Sequence, residues 1–346
     1  RRLDRYTWLR HESIVIRDNV EWSVGVDQRL GQVEQVVSAT NPNPAIRNDA
    51  PLLANGVNLD KKVWEWRQGL WVEPRINKGD WRLVPGVRLQ VLPLVQQAVL
   101  DPRLQIHREF IWGRWHFGLG RYHQSPPFDQ PALRTFAQSN QASTGLEWEM
   151  SEEIVMGGDV WVKQSIDKLY VDPTGATLLV GEQAIGGEAY ISARFDHWDG
   201  RVGVSSVNST LIYDEELHTS PFSQPFFVNA MLGWRSDNWT VGARYRISSG
   251  LPLVEPVDSV LDATQDMYIP TYSQFPQSRM PTYQKIDLQV ARIWQLRTSV
   301  LKAYCEAWAV PASGNYLNPI YNYNYTESQL VVGPAFVPLV GLSLEY

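Results

Sequence analysis

Apolar and polar residues alternate with a period of two from one end of this chain to the other, and few folds accept such a pattern over 346 residues. Successive side chains of a strand point to opposite faces. In Trp81 to Val91, Trp81, Leu83, Val87, Leu89 and Val91 share one face, and Arg82, Gly86, Arg88 and Gln90 share the other. In Trp239 to Ser248, Trp239, Val241, Ala243, Tyr245 and Ile247 oppose Thr240, Gly242, Arg244, Arg246 and Ser248. In Lys285 to Trp294, Ile286, Leu288, Val290 and Trp294 oppose Lys285, Asp287 and Gln289. The final "PLVGLSLEY" puts Val340, Leu342, Leu344 and Tyr346 on one side. No segment of similar length carries a sustained helical stripe, so the chain reads as all-β.

The two faces differ in what they carry. The apolar one places Trp or Tyr at strand ends (Trp81, Trp234, Trp239, Trp294, Tyr346) with Leu, Val, Ala and Ile between them. That is the order of a membrane interface, a hydrocarbon band and a second interface. The polar one carries Arg82, Arg88, Arg194, Arg244, Arg246, Lys163, Glu147, Glu149, Asp159 and Glu345 among many glycines, which suits a wet lumen. A solvated sheet face would look the same, so the apolar face discriminates better. Composition agrees: 15 Trp, 15 Tyr and 10 Phe accompany a mean hydropathy of only -0.28. Many aromatics with little net hydrophobicity fit a barrel with aromatic girdles and a polar interior.

Connections alternate in length. Tight turns are expected at Asn77-Lys78-Gly79-Asp80, Asp199-Gly200 and Ser236-Asp237-Asn238, and long polar loops at 36 to 61, 123 to 141, 213 to 225 and 249 to 282. Short turns on one side and long loops on the other predict an antiparallel transmembrane β-barrel of about 14 to 16 strands, with short periplasmic turns and long extracellular loops. The whole chain, 1 to 346, reads as one such domain in the bacterial outer membrane. Its final Leu342, Leu344 and Tyr346 would act as a C-terminal insertion signal.

Other classes find little support. No run of about 18 apolar residues offers a membrane helix, and the opening Arg1-Arg2-Leu3-Asp4 has no signal-peptide character. A net charge of -6, with both signs interspersed, gives no footprint for nucleic acid. The single cysteine, Cys305, excludes a disulfide framework and fits a small apolar strand residue. His107, His116 and His123 lack a carboxylate or thiolate to complete a metal site, and are read as lumen or loop residues, so neither metal nor cofactor is expected. Asp196-His197 with Ser192 or Ser205 has no nucleophile elbow, and no enzyme is expected. The loop "NYLNPIYNYNY" is the best candidate binding surface: Tyr316, Tyr321, Tyr323 and Tyr325 with interleaved asparagines suit stacking on a ligand or a partner.

Several stretches, in order, resemble the barrel domain of TonB-dependent receptors. They are "WRLVPGVRLQV" (Trp81 to Val91), "WHFGLGRYHQSPP" (Trp115 to Pro127), "GLEWEM" (Gly145 to Met150), "GARYRISSGLPLVEP" (Gly242 to Pro256), "RMPTYQKIDLQVAR" (Arg279 to Arg292) and the closing "FVPLVGLSLEY". The resemblance runs over about three quarters of the chain and implies an outer-membrane barrel that imports scarce nutrients. Two departures stand out: no globular plug precedes the strand pattern at Arg5, and the family's 22 strands exceed those found here. The expectation is a plugless relative that passes solutes or forms part of an envelope complex. Arg82, Arg88, Arg194, Arg244 and Arg246 would line its lumen, with outer-membrane lipid or lipopolysaccharide, other envelope proteins and a small-molecule substrate as partners. A non-conducting structural barrel and a soluble β-rich binding protein are the alternatives.

Overall fold

The computed structural model describes residues 2–38, 58–93, 96–125, 136–173, 175–313, 316–333 and 336–345. Among them are 22 strands. The first seven are β1 (Arg2–Arg17), β2 (Val20–Ser38), β3 (Asn58–Lys78), β4 (Trp81–Leu92), β5 (Gln97–Phe110), β6 (Gly113–Gln124) and β7 (Ala137–Glu149). Next come β8 (Ile154–Val171), β9 (Thr177–Phe195), β10 (Trp198–Tyr213), β11 (Glu216–Thr219), β12 (Gln224–Arg235), β13 (Trp239–Ser248) and β14 (Pro252–Leu253). The last are β15 (Pro256–Asp262), β16 (Met267–Tyr272), β17 (Ser278–Arg279), β18 (Tyr283–Gln295), β19 (Val300–Ser313), β20 (Tyr316–Tyr321), β21 (Ser328–Val332) and β22 (Val337–Glu345).

One 16-stranded sheet dominates. It is a meander from β1 to β10, then β12, β13, β18, β19 and β22, with the short β11 beside β10. The remaining strands form three two-stranded pieces, β14 with β17, β15 with β16 and β20 with β21, all within the connections that follow β13 and β19. The sheet's strands mostly run 9 to 21 residues, and about 9 to 11 suffice to cross a bilayer.

Two-residue turns at 18–19, 79–80, 111–112 and 196–197 alternate with longer connections such as 214–223 and 249–282, while residues 39–57 and 126–135 of two other expected loops lie outside the described residues. Asp18 and Gly79 take positive φ there (55° and 58°), as tight hairpins require. The expected alternation of lengths holds, with short exceptions at 93–96 and 172–176. The turn expected at Asp199-Gly200 is displaced. It falls on Asp196 and His197, because Trp198 already pairs with Trp234 and carries Asp199 and Gly200 into β10.

The chain divides into two compact units, Arg1–Thr144 with Trp161–Gln183 and Leu211–Leu217, and Gly145–Val160 with Ala184–Thr210 and His218–Tyr346. Each has an inverted distribution of polarity. Among the described residues only eight apolar side chains are buried, against twelve polar or charged ones, while 54 large apolar or aromatic side chains are exposed. A water-soluble sheet hides its apolar face against a second layer; here, among the described residues, that face is left exposed. Tryptophans flank the short turns in both units. In the first, Trp81 meets Trp115 edge-on at 6.3 Å, and Phe110 stacks on Trp112 at 4.6 Å. In the second, Trp198 lies 6.4 Å from Trp234, and Arg292 sits 5.1 Å over both Trp239 and Trp294.

The terminal β22 pairs with β19 and leaves Val340 and Leu342 81% and 76% exposed on the apolar face. Leu344 is half exposed on the same face, and Tyr346 lies outside the described residues.

Candidate functional site

The polar face is the candidate site. Its side chains are organised by a rule that the strand spacing sets. Adjacent strands lie about 4.8 Å apart, so a residue and its counterpart two strands away are separated by roughly 10 Å. Long polar side chains close that gap when the strand between offers no Cβ. In the first unit Asp27 on β2 and Arg88 on β4 form an ion pair of 2.5 Å across Gly69 of β3. Glu73 on β3 and Arg103 on β5 pair at 2.6 Å across Gly86 of β4. The indole of Trp71 on β3 lies over Gly25 of β2, with the guanidinium of Arg10 4.9 Å and that of Arg88 5.5 Å from its ring. In the second unit the Tyr190 hydroxyl on β9 crosses Gly157 of β8 and donates to Glu147 on β7 at 2.7 Å. Arg201 covers the Tyr190 ring at 4.0 Å.

The five arginines expected to line a lumen lie in both units. Arg88 is the half-buried partner of Asp27. Arg82 donates through Nε to Asn77 at 3.2 Å and stands opposite His107 in the register. Arg194 lines a cleft of about 370 Å³ with Asp196, Asp199 and Arg235 at the β9–β10 turn. Arg244 and Arg246 come together on β13: Arg244 Nε donates to Asn229 at 2.8 Å, and Arg246 lies 3.6 Å from Asp287, which Lys285 also approaches at 2.9 Å.

His107 and His116 face each other on β5 and β6 with ring centroids 6.3 Å apart, on the wall of a cavity of about 560 Å³ shared with Gln105, Gln141 and Lys163. No cluster of three or more His, Cys, Asp or Glu that could hold a metal occurs among the described residues. His123 is bound to Asp101 at 2.5 Å and to Gln138 at 3.3 Å. Asp196 and His197 pair at 3.3 Å in an exposed turn, and the Ser192 hydroxyl bonds the Val155 carbonyl (3.5 Å).

The tyrosine loop docks on the β15–β16 hairpin. Tyr323 meets Tyr268 edge-on at 5.4 Å and donates its hydroxyl to the Asp266 carbonyl, and Ser259 donates to the Asn324 carbonyl at 2.7 Å. Tyr321 stacks on Tyr325 at 5.8 Å, and Tyr316 stands opposite Val332 in the β20–β21 register. Burial, then the charge of Asp266, holds the Tyr323 hydroxyl above the ordinary tyrosine range. Burial, then Glu255, does the same to Tyr321. Sequence reasoning missed Trp71, Tyr190 and the four bridged glycines; the signal available for the glycines was only their place on the polar face.

No family model matches the sequence, and no curated protein matches it either. Solved structures do. The ferric citrate transporter FecA matches with a TM-score of 0.69 at 12% identity over 99% of this chain and 54% of its own. The copper transporter OprC matches at 0.68 with 11% identity, covering 99% and 56%. The outer membrane transporter YddB of Escherichia coli matches at 0.64 with 10% identity, covering 99% and 53%. This chain spans about half the length of the structures that it matches, and the part matched is their barrel. The inverted, all-antiparallel sheet described above is the fold of the TonB-dependent receptor barrel.

Proposed function

We propose that this chain forms the barrel part of a bacterial outer-membrane protein and that its polar face guides solutes across the membrane. The observation that carries this reading is the inversion of polarity: exposed Leu, Val, Ile and Trp on one face of the sheet, ion pairs and buried serines and carboxylates on the other. Lipid and the acyl part of lipopolysaccharide are the partners that such an outer face needs, and no catalytic role is assigned.

Fixed charges along a narrow path set which ions enter it. Replacing both Arg244 and Arg246 by Glu removes two positive charges and adds two negative ones. In a planar bilayer under a salt gradient the reversal potential should move toward that of the cation. An unchanged reversal potential in a conducting variant contradicts the reading. A second reading, a filled and non-conducting barrel, is favoured by Trp71, which lies flat across the polar face and is only 7% exposed. Its signature is a folded protein without conductance.

A further inference from the structure

The second unit holds a cavity of about 500 Å³ on the polar face, and its two ends carry opposite charge. The register arranges its walls in rows. One row runs Asp199, Gly233, Gly242, Gln289 and Glu306 across β10, β12, β13, β18 and β19. Two residues along the strands, the next row runs Met231, Arg244 and Asp287, and two further along, Asn229, Arg246 and Lys285.

The first row is acidic at both sides of a bare floor. A Cβ on Gly242 would have nothing nearer than Gln289 at 4.0 Å, and one on Gly233 would lie 2.9 Å from the Asp199 carboxylate, which therefore leans over the floor. Glu306 is aimed by two donors, Gln289 Nε2 at 3.0 Å and Trp308 Nε1 at 2.9 Å. The other rows are basic. Arg246 and Lys285 share the carboxylate of Asp287 while Arg244 bonds Asn229, so the wall carries +2 there (three cations, one carboxylate) against -2 from Asp199 and Glu306. The buried Nε of Arg246 has no hydrogen-bond partner.

A simple anion or cation satisfies one end of such a cavity and is repelled by the other. A molecule with an ammonium at one end and a carboxylate at the other satisfies both. Two residues along a strand separate the acidic row from Arg244 by about 7 Å, and two extended peptide residues span about 7 Å. We propose that this cavity binds a short peptide of two or three residues with free termini. Its ammonium sits on the Gly233–Gly242 floor against Asp199, which leans over it, with Glu306 adding negative potential from the far side. Its carboxylate is gripped by Arg244, the side chain suited to a bidentate carboxylate contact, with Arg246 and Lys285 behind. The proposal rests on the reading of the polar face as a solute path.

The test is calorimetry on the folded, detergent-solubilised chain with alanyl-alanine, its N-acetyl derivative and its C-terminal amide. Alanyl-alanine should bind at least about tenfold more tightly than either blocked form, since each loses one charged contact. Asp199→Asn should weaken alanyl-alanine about tenfold and leave the N-acetyl form unchanged; Arg244→Gln should weaken it equally and leave the amide unchanged. Equal affinity for all three compounds, or no binding of alanyl-alanine at millimolar concentration, overturns the proposal without any variant having to fold. Arabinose uptake by liposomes bearing the protein separates the two readings. Uptake without peptide binding removes the peptide site and keeps the path, whereas peptide binding without uptake supports the site and removes the path.

Discussion

Gly25→Ala should be among the most damaging single-methyl additions in the sheet. A Cβ at that position falls inside the indole of Trp71, whose ring crosses Gly25 on the polar face and is 7% exposed. An indole cannot compress, so it must swing out, abandoning the Arg10 and Arg88 guanidinium groups at 4.9 and 5.5 Å. A buried Trp hides about 200 Å², or about 5 kcal/mol at 25 cal/mol per Å². A displaced ring recovers roughly half of that by lying on neighbouring surface. Two cation–π contacts add about 0.5 to 1 kcal/mol each, so the loss is about 3.5 to 4.5 kcal/mol. Urea unfolding of the lipid-reconstituted protein, followed by far-ultraviolet circular dichroism, measures it. In a double-mutant cycle, Gly25→Ala should add almost nothing on a Trp71→Ala background, giving a coupling of about 4 kcal/mol. A cost below about 0.5 kcal/mol, or full additivity with Trp71→Ala, refutes the idea that the glycine exists to admit the ring.

Leu342→Arg puts a cation on the exposed apolar face of β22 and should cost about 2 to 4 kcal/mol of folding into liposomes; Ser343→Arg, on the opposite face, should cost far less. Tyr323→Phe removes the hydroxyl that reaches the Asp266 carbonyl and should speed amide hydrogen exchange in 316–332 and 256–272, with no change in the sheet. The same docking should be intact at neutral pH and loosen as pH rises. The folded Tyr323 resists ionisation, so its contribution is present below the ordinary tyrosine range and lost above it. Protection factors, corrected for the base-catalysed intrinsic rate, that stay constant across that alkaline range contradict the assignment.

The strands themselves were legible because a period of two leaves little choice. The faces read from Trp81 to Val91, Trp239 to Ser248 and Lys285 to Trp294 are those that the register produces. Local signals misled where a longer-range pairing overrode them. Asp199-Gly200 has turn chemistry, yet Trp198 opposite Trp234 draws it into β10. The segment 249–282 read as loop because the hairpin strands within it are two to seven residues long, too short for alternation to show. The site was half legible. Arg88, Arg244, Arg246, Lys285 and Asp287 can be placed on the polar face by parity alone. Their partners cannot, because Asp27 reaches Arg88 from two strands away, and only the register says which glycine lies between them. His107 and His116, on successive strands, do meet, since β5 and β6 pair them directly.

The account depends on the apolar face touching hydrocarbon, and the protein carries its own reporter for that. Cys305, the sole cysteine, is exposed and lies opposite Val290 on one side and Val340 on the other, on the apolar face of β19. A nitroxide attached to Cys305 in proteoliposomes should relax strongly with oxygen and weakly with a water-soluble nickel chelate. One placed at the neighbouring position by Glu306→Cys, in a Cys305→Ala background, should show the reverse. If the Cys305 label is as open to the nickel chelate as the label at 306, the apolar face is in water and the barrel account is wrong.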